Sequence, residues 1–77
     1  MDQDKLVRMA NQIAQFFAAE PERKAAVEGV VGHLKRFWEP RMRKEILAKF
    51  DRGETAGMHE LVVEALTAHR ATLQPAG

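Results

Sequence analysis

Apolar residues recur at intervals of three and four along most of the chain, and this is the spacing of one face of an α-helix. No stretch alternates apolar and polar residues in the manner of a strand, and the chain holds no internal repeat or low-complexity segment. The pattern therefore predicts an all-α fold, a small bundle of about four short helices. In the first segment the apolar positions are Leu6, Met9, Ala10, Ile13, Phe16 and Phe17.

Two prolines and a glycine-containing loop divide the pattern into helices. The second helix should begin around Pro21, because proline in the first helical turn loses no needed hydrogen bond. By the same argument the third helix should run from Pro40 to about Asp51. Gly53 stands just past its end, where a left-handed cap is common, in the loop 52–57.

The remaining boundaries follow from capping and burial patterns. Asp2 or Asp4 can cap the first helix, because a short acidic side chain accepts from the unpaired amides of the first turn. The whole chain, 1–77, reads as one helical domain with an ordered core of about residues 4–71 and a frayed tail at 74–77. Beyond the first helix, the expected buried residues are Ala26, Val27, Val30, Leu34, Phe37, Met42, Ile46, Leu47, Phe50, Met58, Leu61, Val62, Ala65 and Leu66, extending to His69.

Two features of these helices point beyond simple packing. The apolar arc of the first helix covers about 180°, wider than the ~100° stripe that a surface helix needs, so part of it is expected to face a partner. Gly29 and Gly32 interrupt the second helix, and each costs about 1 kcal/mol relative to alanine. We therefore expect another backbone to approach closely at these glycines.

The residue inventory argues against catalysis and metal binding. The chain has no Cys, Ser or Tyr, its carboxylates are scattered, and its glycines are too dispersed for a phosphate-binding loop. His33, His59 and His69 lack a metal-binding spacing. No signal peptide or membrane segment is evident, which favours a cytoplasmic location. We expect no enzyme activity and no cofactor or metal bound by this chain.

The charge is unevenly distributed. The net charge is +1, but residues 35–44 hold a basic cluster, opposed within that stretch by Glu39 alone. The near-neutral total makes nucleic acid an unlikely partner. The cluster is either a solvated face or a surface that recognises acidic groups, for which the planar guanidinium is well suited. The cluster consists of Lys35, Arg36, Arg41, Arg43 and Lys44.

Trp38 and His33 each allow two interpretations. Trp38 is either the main core aromatic or an interface anchor beside the arginines, and both can hold if one ring edge faces each way. His33 borders the apolar stripe of the second helix. It is either a partly buried imidazole bonded within the fold or a polar contact to a partner.

Several strings of the sequence together resemble the delta subunit of NAD-dependent formate dehydrogenase. Helical amphipathicity alone would not dictate Asn11, Gln12 or Pro40 within them, and the resemblance covers roughly residues 5–67. The matching strings are Leu6-Val7-Arg8-Met9-Ala10-Asn11-Gln12-Ile13, Phe16-Phe17, His33-Leu34, Phe37-Trp38-Glu39-Pro40-Arg41-Met42-Arg43, Leu61-Val62 and Ala65-Leu66.

This resemblance implies an accessory subunit of a cytoplasmic complex that oxidises formate and reduces NAD. It implies that other chains hold a molybdenum or tungsten bis-pterin guanine dinucleotide centre, iron–sulfur clusters and flavin. The delta subunit would support the assembly, stability or cofactor maturation of the catalytic large subunit. Two alternatives stay open: a homo-oligomeric helical module, such as a homodimer of the isolated chain, and a small nucleic-acid-binding protein.

Docking through the wide apolar arc of the first helix together with a Trp/Arg corner, from Trp38 to Arg43, is the expected mechanism, with Phe37 and Met42 serving as core side chains. Arginines there would pair with acidic groups of the large subunit. The predicted partner-binding residues are Asn11, Gln12, His33, Arg36, Trp38, Arg41 and Arg43.

Overall fold

The computed structural model describes residues 2–76, and within that range the chain forms five α-helices and no strand. The all-α prediction is confirmed. Met1 and Gly77 lie outside the described residues, so the last position of the expected frayed tail does too. The helices are α1 (Gln3–Phe17), α2 (Arg23–Phe37), α3 (Pro40–Asp51), α4 (Glu60–Ala68) and α5 (Arg70–Leu73).

The helix starts follow the capping signals with one exception. Asp2 caps α1, its carboxylate accepting from the amide of Asp4 at 2.9 Å. Pro40 is the first residue of α3, as predicted. The prediction that α2 begins around Pro21 is wrong by about two residues. Glu22 is extended, and its amide donates to the Glu20 carboxylate, so the turn continues to Glu22 before the helix begins.

The end of the chain holds a helix that the pattern did not predict. His69 adopts φ −123° and ψ 27°, which ends α4 and begins the short α5. Leu73 in α5 is 1% exposed and belongs to the core. The four residues of α5 include one buried apolar side chain, too few to show a helical period. At the other end of α4, Met58 is buried but precedes the helix, because His59 is the N-cap.

The core forms where α2 packs against α1 and α4, with α3 and α5 closing it. Ala10, Ala14 and Ala65 are fully buried in the helices that meet there, and their small side chains allow the helix backbones to approach. The largest side chains that are fully buried are Leu6, Leu34, Ile46, Leu66, Leu73, Val30 and Val62.

The prediction that Phe37 is a core residue is wrong. It is the last residue of α2 and is 69% exposed, whereas the next residue, Trp38, is 5% exposed. The chain leaves the helix at Trp38, which adopts extended geometry and turns its indole into the interior. Met42 and Phe50 pack against the core while remaining partly exposed, so their predicted inward orientation is confirmed.

The two glycines of α2 differ from each other. A Cβ on Gly29 would lie 2.3 Å from Cδ1 of Phe17, so an aromatic ring from α1, not a backbone, occupies the space. Nothing lies within 4 Å of a Cβ on Gly32, and the expected close approach there is wrong. Gly53 has φ +79°, which confirms its predicted left-handed conformation after α3.

Alanine at these two glycines should therefore have opposite effects on stability. Gly32→Ala should raise the free energy of unfolding by about 0.5–1 kcal/mol, because alanine lowers the entropic cost of helix formation and meets no neighbour. Gly29→Ala should lower it, because displacing the Phe17 ring costs about 1–3 kcal/mol. Chemical denaturation of the two variants measures both effects, and equal effects would contradict the assigned role of Phe17.

Ion pairs hold the loop after α3 to the rest of the chain. The carboxylate of Glu54 accepts from Arg52 Nε at 3.0 Å and from Lys49 Nζ at 3.2 Å. Arg52 also donates to Gln3, whose side-chain amide donates to Glu45 at 2.8 Å. The Arg52 and Lys49 hydrogen bonds lower the pKa of Glu54 to about 2 from an ordinary 4.5. This network ties the start of α1 to the end of α3.

The lowered pKa of Glu54 predicts a loss of stability in acid. A carboxyl group whose folded-state pKa is depressed stabilises the fold above its unfolded pKa, and that contribution is lost as pH falls through its folded pKa. Glu54→Gln should therefore show a smaller fall in thermal midpoint between pH 4.5 and 2 than the parent chain. Glu28→Gln is the control, since Glu28 is exposed and forms no ion pair within residues 2–76. An identical pH dependence in the parent and Glu54→Gln would contradict the role of this network.

None of the helices in the described part of the chain combines the length and the apolar character needed to cross a membrane.

Candidate functional site

An open apolar groove of about 720 Å³ lies between α1, the end of α2 and the start of α3. No Asp, Glu, Lys or Arg of residues 2–76 lines it. The lining side chains with polar atoms are Gln12, His33 and Trp38, three of the predicted partner-binding residues. We call it the apolar groove; it is lined by Met9, Gln12, Ile13, Phe16, Phe17, His33, Phe37, Trp38 and Met42.

Two exposed aromatic side chains line the groove. Phe16 is 74% exposed and its ring packs edge-on against Phe17, with centroids 5.0 Å apart. Phe37 is 69% exposed and its ring tilts against the His33 imidazole, with centroids 4.8 Å apart. The described chain therefore positions two phenylalanines against neighbours without covering them, an arrangement typical of a protein-interaction surface.

Trp38 forms part of the groove from a buried position. Its backbone amide donates to the carbonyl of Leu34 at 3.1 Å, which fixes the exit from α2. Trp38 is 5% exposed, so most of its surface is buried in the core, as the first of the two interpretations predicts. Its place in the groove lining leaves one part of the ring available to a partner.

The fold divides the basic cluster. Arg36, Arg41 and Lys44 are exposed, whereas Lys35 donates from Nζ to the carbonyl of Thr72 at 3.1 Å. Neither Arg36 nor Arg41 forms an ion pair with a carboxylate of residues 2–76. Each precedes a residue of the groove lining, Arg36 before Phe37 and Arg41 before Met42. These two residues are therefore the arginines of the cluster that are exposed, lack a carboxylate partner within residues 2–76 and adjoin a groove residue in the chain.

Two other surface arginines are engaged between elements of the fold. Arg23 pairs with Glu60 and Glu64 across α2 and α4, and these hydrogen bonds raise its pKa. Arg70 pairs with Asp51, which raises the pKa of the arginine and lowers that of the carboxyl group. The described chain therefore uses carboxylates to neutralise arginines that join helices, and leaves Arg8, Arg36 and Arg41 without such partners.

Arg43 lies in the interior and not on the surface expected of a partner-binding residue. It is 8% exposed, and Nη1 donates to the carbonyl of Leu73 at 3.2 Å, while Nε has no hydrogen-bond partner in residues 2–76. The side chain lies on the inner side of α3, where its stem is buried among apolar neighbours and its head reaches the end of α5. Its visible role is to hold α5 against α3.

Asn11 forms two hydrogen bonds within the fold. Its Nδ2 donates to the carbonyl of Gly57 at 2.9 Å, and its Oδ1 accepts from the amide of His59 at 2.8 Å. His59 Nδ1 in turn accepts from the amide of Leu61 and so caps α4. Asn11 thus joins α1 to the turn before α4, and it does not line the apolar groove, unlike its neighbour Gln12.

The sequence indicated only in part that Phe16, Met9 and Ile13 line an exposed groove. The wide apolar arc of the first helix was the signal, but it did not tell which side faces the core. The structure shows that Leu6, Ala10 and Ala14 are buried and that the other edge of the arc forms the groove. Among residues 2–76, no group of three or more His, Asp or Glu side chains is arranged to hold a metal ion.

Comparison with models of known protein families gives a match over most of the chain. A family model described as the NADH-dependent formate dehydrogenase delta subunit FdsD matches residues 5–66. That range contains α2 and α3, nearly all of α1, most of α4 and every residue that lines the apolar groove. No curated protein and no solved structure gives a significant match.

The buried position of Arg43 predicts a structural cost when it is truncated. Arg43→Ala should lower the free energy of unfolding by about 1–3 kcal/mol, because the Leu73 carbonyl loses its donor and the core loses the arginine stem. Lys44→Ala, which removes the same charge from an exposed neighbour, should change it by less than about 0.5 kcal/mol. Denaturant titration compares them, and equal stability of the two variants would contradict the structural role of Arg43.

Proposed function

Because the chain belongs to the delta-subunit family of NADH-dependent formate dehydrogenase, we propose that it is a non-catalytic accessory subunit that docks onto the catalytic large subunit of that complex. The resemblance read from the sequence strings is confirmed by the family match. Docking would support the assembly or stability of the large subunit, or the maturation of its molybdenum or tungsten cofactor in the cytoplasm.

The observation that carries this proposal is the apolar groove, with two exposed phenylalanines and two arginines beside it. Burying an exposed phenylalanine side chain contributes about 1.5–3 kcal/mol. Phe16 and Phe37 are held in place by aromatic neighbours, so little conformational entropy is lost on binding. Arg36 and Arg41 would fix the orientation of the chain on the large subunit by pairing with its carboxylates.

The proposed docking surface differs from the Trp/Arg corner expected from the sequence. Phe16 and Phe37 become the main apolar contacts, because their rings are largely exposed. Trp38 supports the surface from beneath. Arg36 and Arg41 keep the expected role, whereas Arg43 and Asn11 have internal partners and are not part of the proposed surface.

The cofactors of the complex are proposed to reside on other chains. Iron–sulfur clusters need thiolate ligands in most proteins, and the sequence contains no cysteine. Its glycines do not form a phosphate-binding loop that would suit a pterin nucleotide, flavin or NAD. This residue inventory supports a subunit that contributes binding surface to formate oxidation and not chemistry.

Loss of the two groove arginines should weaken the complex. Truncating an arginine that faces a desolvated partner carboxylate costs about 2–5 kcal/mol, whereas loss of a rim charge mainly slows association. The tagged double variant Arg36→Ala/Arg41→Ala should therefore recover less large subunit than the parent, and the large subunit should hold less molybdenum or tungsten or be less stable to heat. Co-purification, formate oxidation and metal content measure these effects.

Lys44→Ala is the matched control, since Lys44 belongs to the same basic cluster but, unlike Arg36 and Arg41, adjoins no groove residue in the chain and lines a separate pocket with Arg70. It should behave like the parent chain. If the double variant recovered as much large subunit as the parent, at low and at high salt, the two arginines would not belong to the docking surface. Failure of the parent chain to bring down any formate dehydrogenase subunit would refute the proposed function itself.

A further inference from the structure

We propose that the apolar groove binds a single amphipathic helix of the partner chain, with an apolar ridge seated between α1 and the α2–α3 junction and acidic residues along its flanks. This inference rests on the proposed function and specifies the structural class of its docking segment. It identifies the partner by chemistry: apolar residues at helical spacing, bordered by carboxylates.

The dimensions and walls of the groove suit a helix. The wall contributed by α1 runs from Met9 to Phe16, which is two helical turns, or about 10 Å. An amphipathic helix binds such a groove through anchors at positions i, i+3 or i+4, and i+7, which span about the same length. The exposed rings of Phe16 on one wall and Phe37 on the other stand where they would contact both sides of the inserted ridge.

The lining excludes a charged ridge. It contains no carboxylate, lysine or arginine of the described chain, and its lining side chains with polar atoms are Gln12, His33 and Trp38. A charged side chain buried there would lose hydration without gaining an opposite charge, which is unfavourable. The centre of the bound segment must therefore be apolar, with at most one or two hydrogen-bonding groups facing Gln12 or His33.

The charged residues that adjoin the groove residues in the chain indicate which charge the flanks of the partner helix should carry. Arg36 and Arg41 are exposed and lack carboxylate partners within residues 2–76, whereas Glu39 contributes one negative charge between them in the chain. The corner therefore keeps a positive excess next to the apolar lining. Acidic residues on the two flanks of the partner helix complement it and fix the register of binding.

The same arginines disfavour a second copy of this chain as the occupant. In a twofold dimer both copies use the same surface patch, so the apolar groove of one copy would face the apolar groove of the other. Arg36 and Arg41 of both copies would then border one shared apolar surface. Like charges brought together at an interface repel each other, and an acidic segment of a different chain avoids this repulsion.

Photocrosslinking in the assembled complex tests the inference directly. The full-length tagged chain carries p-benzoylphenylalanine in place of Gln12, which is exposed and lines the groove, or in place of Ala68, which is exposed at the end of α4 and away from it. After co-purification and irradiation, mass spectrometry identifies the crosslinked peptide. Position 12 should capture one segment with apolar residues at i, i+3 or i+4, and i+7 and a net negative charge, and position 68 should not capture that segment.

Several results would overturn the inference while leaving the proposed function intact. They are capture of a second copy of this chain, capture of a basic or apolar-free segment, and absence of a crosslink at position 12 in a complex that still co-purifies. Failure of the complex to co-purify with the unsubstituted chain would instead refute the proposed function, and this inference with it. The two failures are therefore distinguished by the purification step that precedes irradiation.

A binding measurement with the captured segment gives the second test. Trp38 is the only tryptophan of the sequence and lines the groove, so its fluorescence reports binding of a tryptophan-free synthetic peptide of that segment. Phe37→Ala should weaken binding about tenfold or more, as loss of an aromatic interface anchor does. Phe37 is exposed, so the thermal midpoint should stay close to that of the parent.

Charge variants complete this measurement. Arg41→Glu should weaken peptide binding more than Arg41→Gln does. The difference in affinity should shrink as salt is added, because screening weakens exposed charge pairs. Lys44→Glu should have a small effect of the same kind at most. Equal affinities for the parent, Phe37→Ala and Arg41→Glu would place the peptide elsewhere on the molecule and overturn the inference.

Discussion

Trp38 is buried at the junction of α2 and α3, where the chain stops being helical and Pro40 starts the next helix. Because the backbone is extended at Trp38 and Glu39, the indole points inward while the preceding Phe37 is left on the outside. The same junction positions Met42 and Arg41 at the start of α3. The wall of the apolar groove formed by the α2–α3 junction, the exposure of Phe37 and the position of Arg41 thus all depend on the burial of a single ring.

The second organising factor is the allocation of charge. Arg23 and Arg70 join different helices through carboxylates, whereas Arg52 pairs with Glu54 in the adjoining loop. These pairs are exposed, so each contributes modestly to stability. Arg43 is used internally as a donor to the end of α5. Arg36 and Arg41, like Arg8, have no carboxylate partner in the described chain, and they are distinguished by adjoining, in the chain, residues that line an apolar surface. A patch of this kind is suited to specific association more than to folding.

Much of the architecture was predictable because helical periodicity and capping are local properties. The start of α3 at Pro40, the cap by Asp2 and the left-handed Gly53 follow from residues next to one another in the sequence. The errors share a different cause. Whether Phe37 is buried, what lies against Gly29 and where Arg43 reaches depend on neighbours that are remote in the chain, and no local pattern records them.

The sequence by itself determined the helical class, the absence of cysteine and the strings that identify the delta-subunit family. It also located the basic cluster and the wide apolar arc of α1, the two ingredients of the candidate site. Tertiary structure decided how these ingredients combine. It divided the arc between core and groove, moved Arg43 and Asn11 into internal hydrogen bonds, and left Phe16, Phe37, Arg36 and Arg41 exposed. The physical reason is that a residue type specifies what a side chain can contact, whereas helix packing determines which contacts are already made.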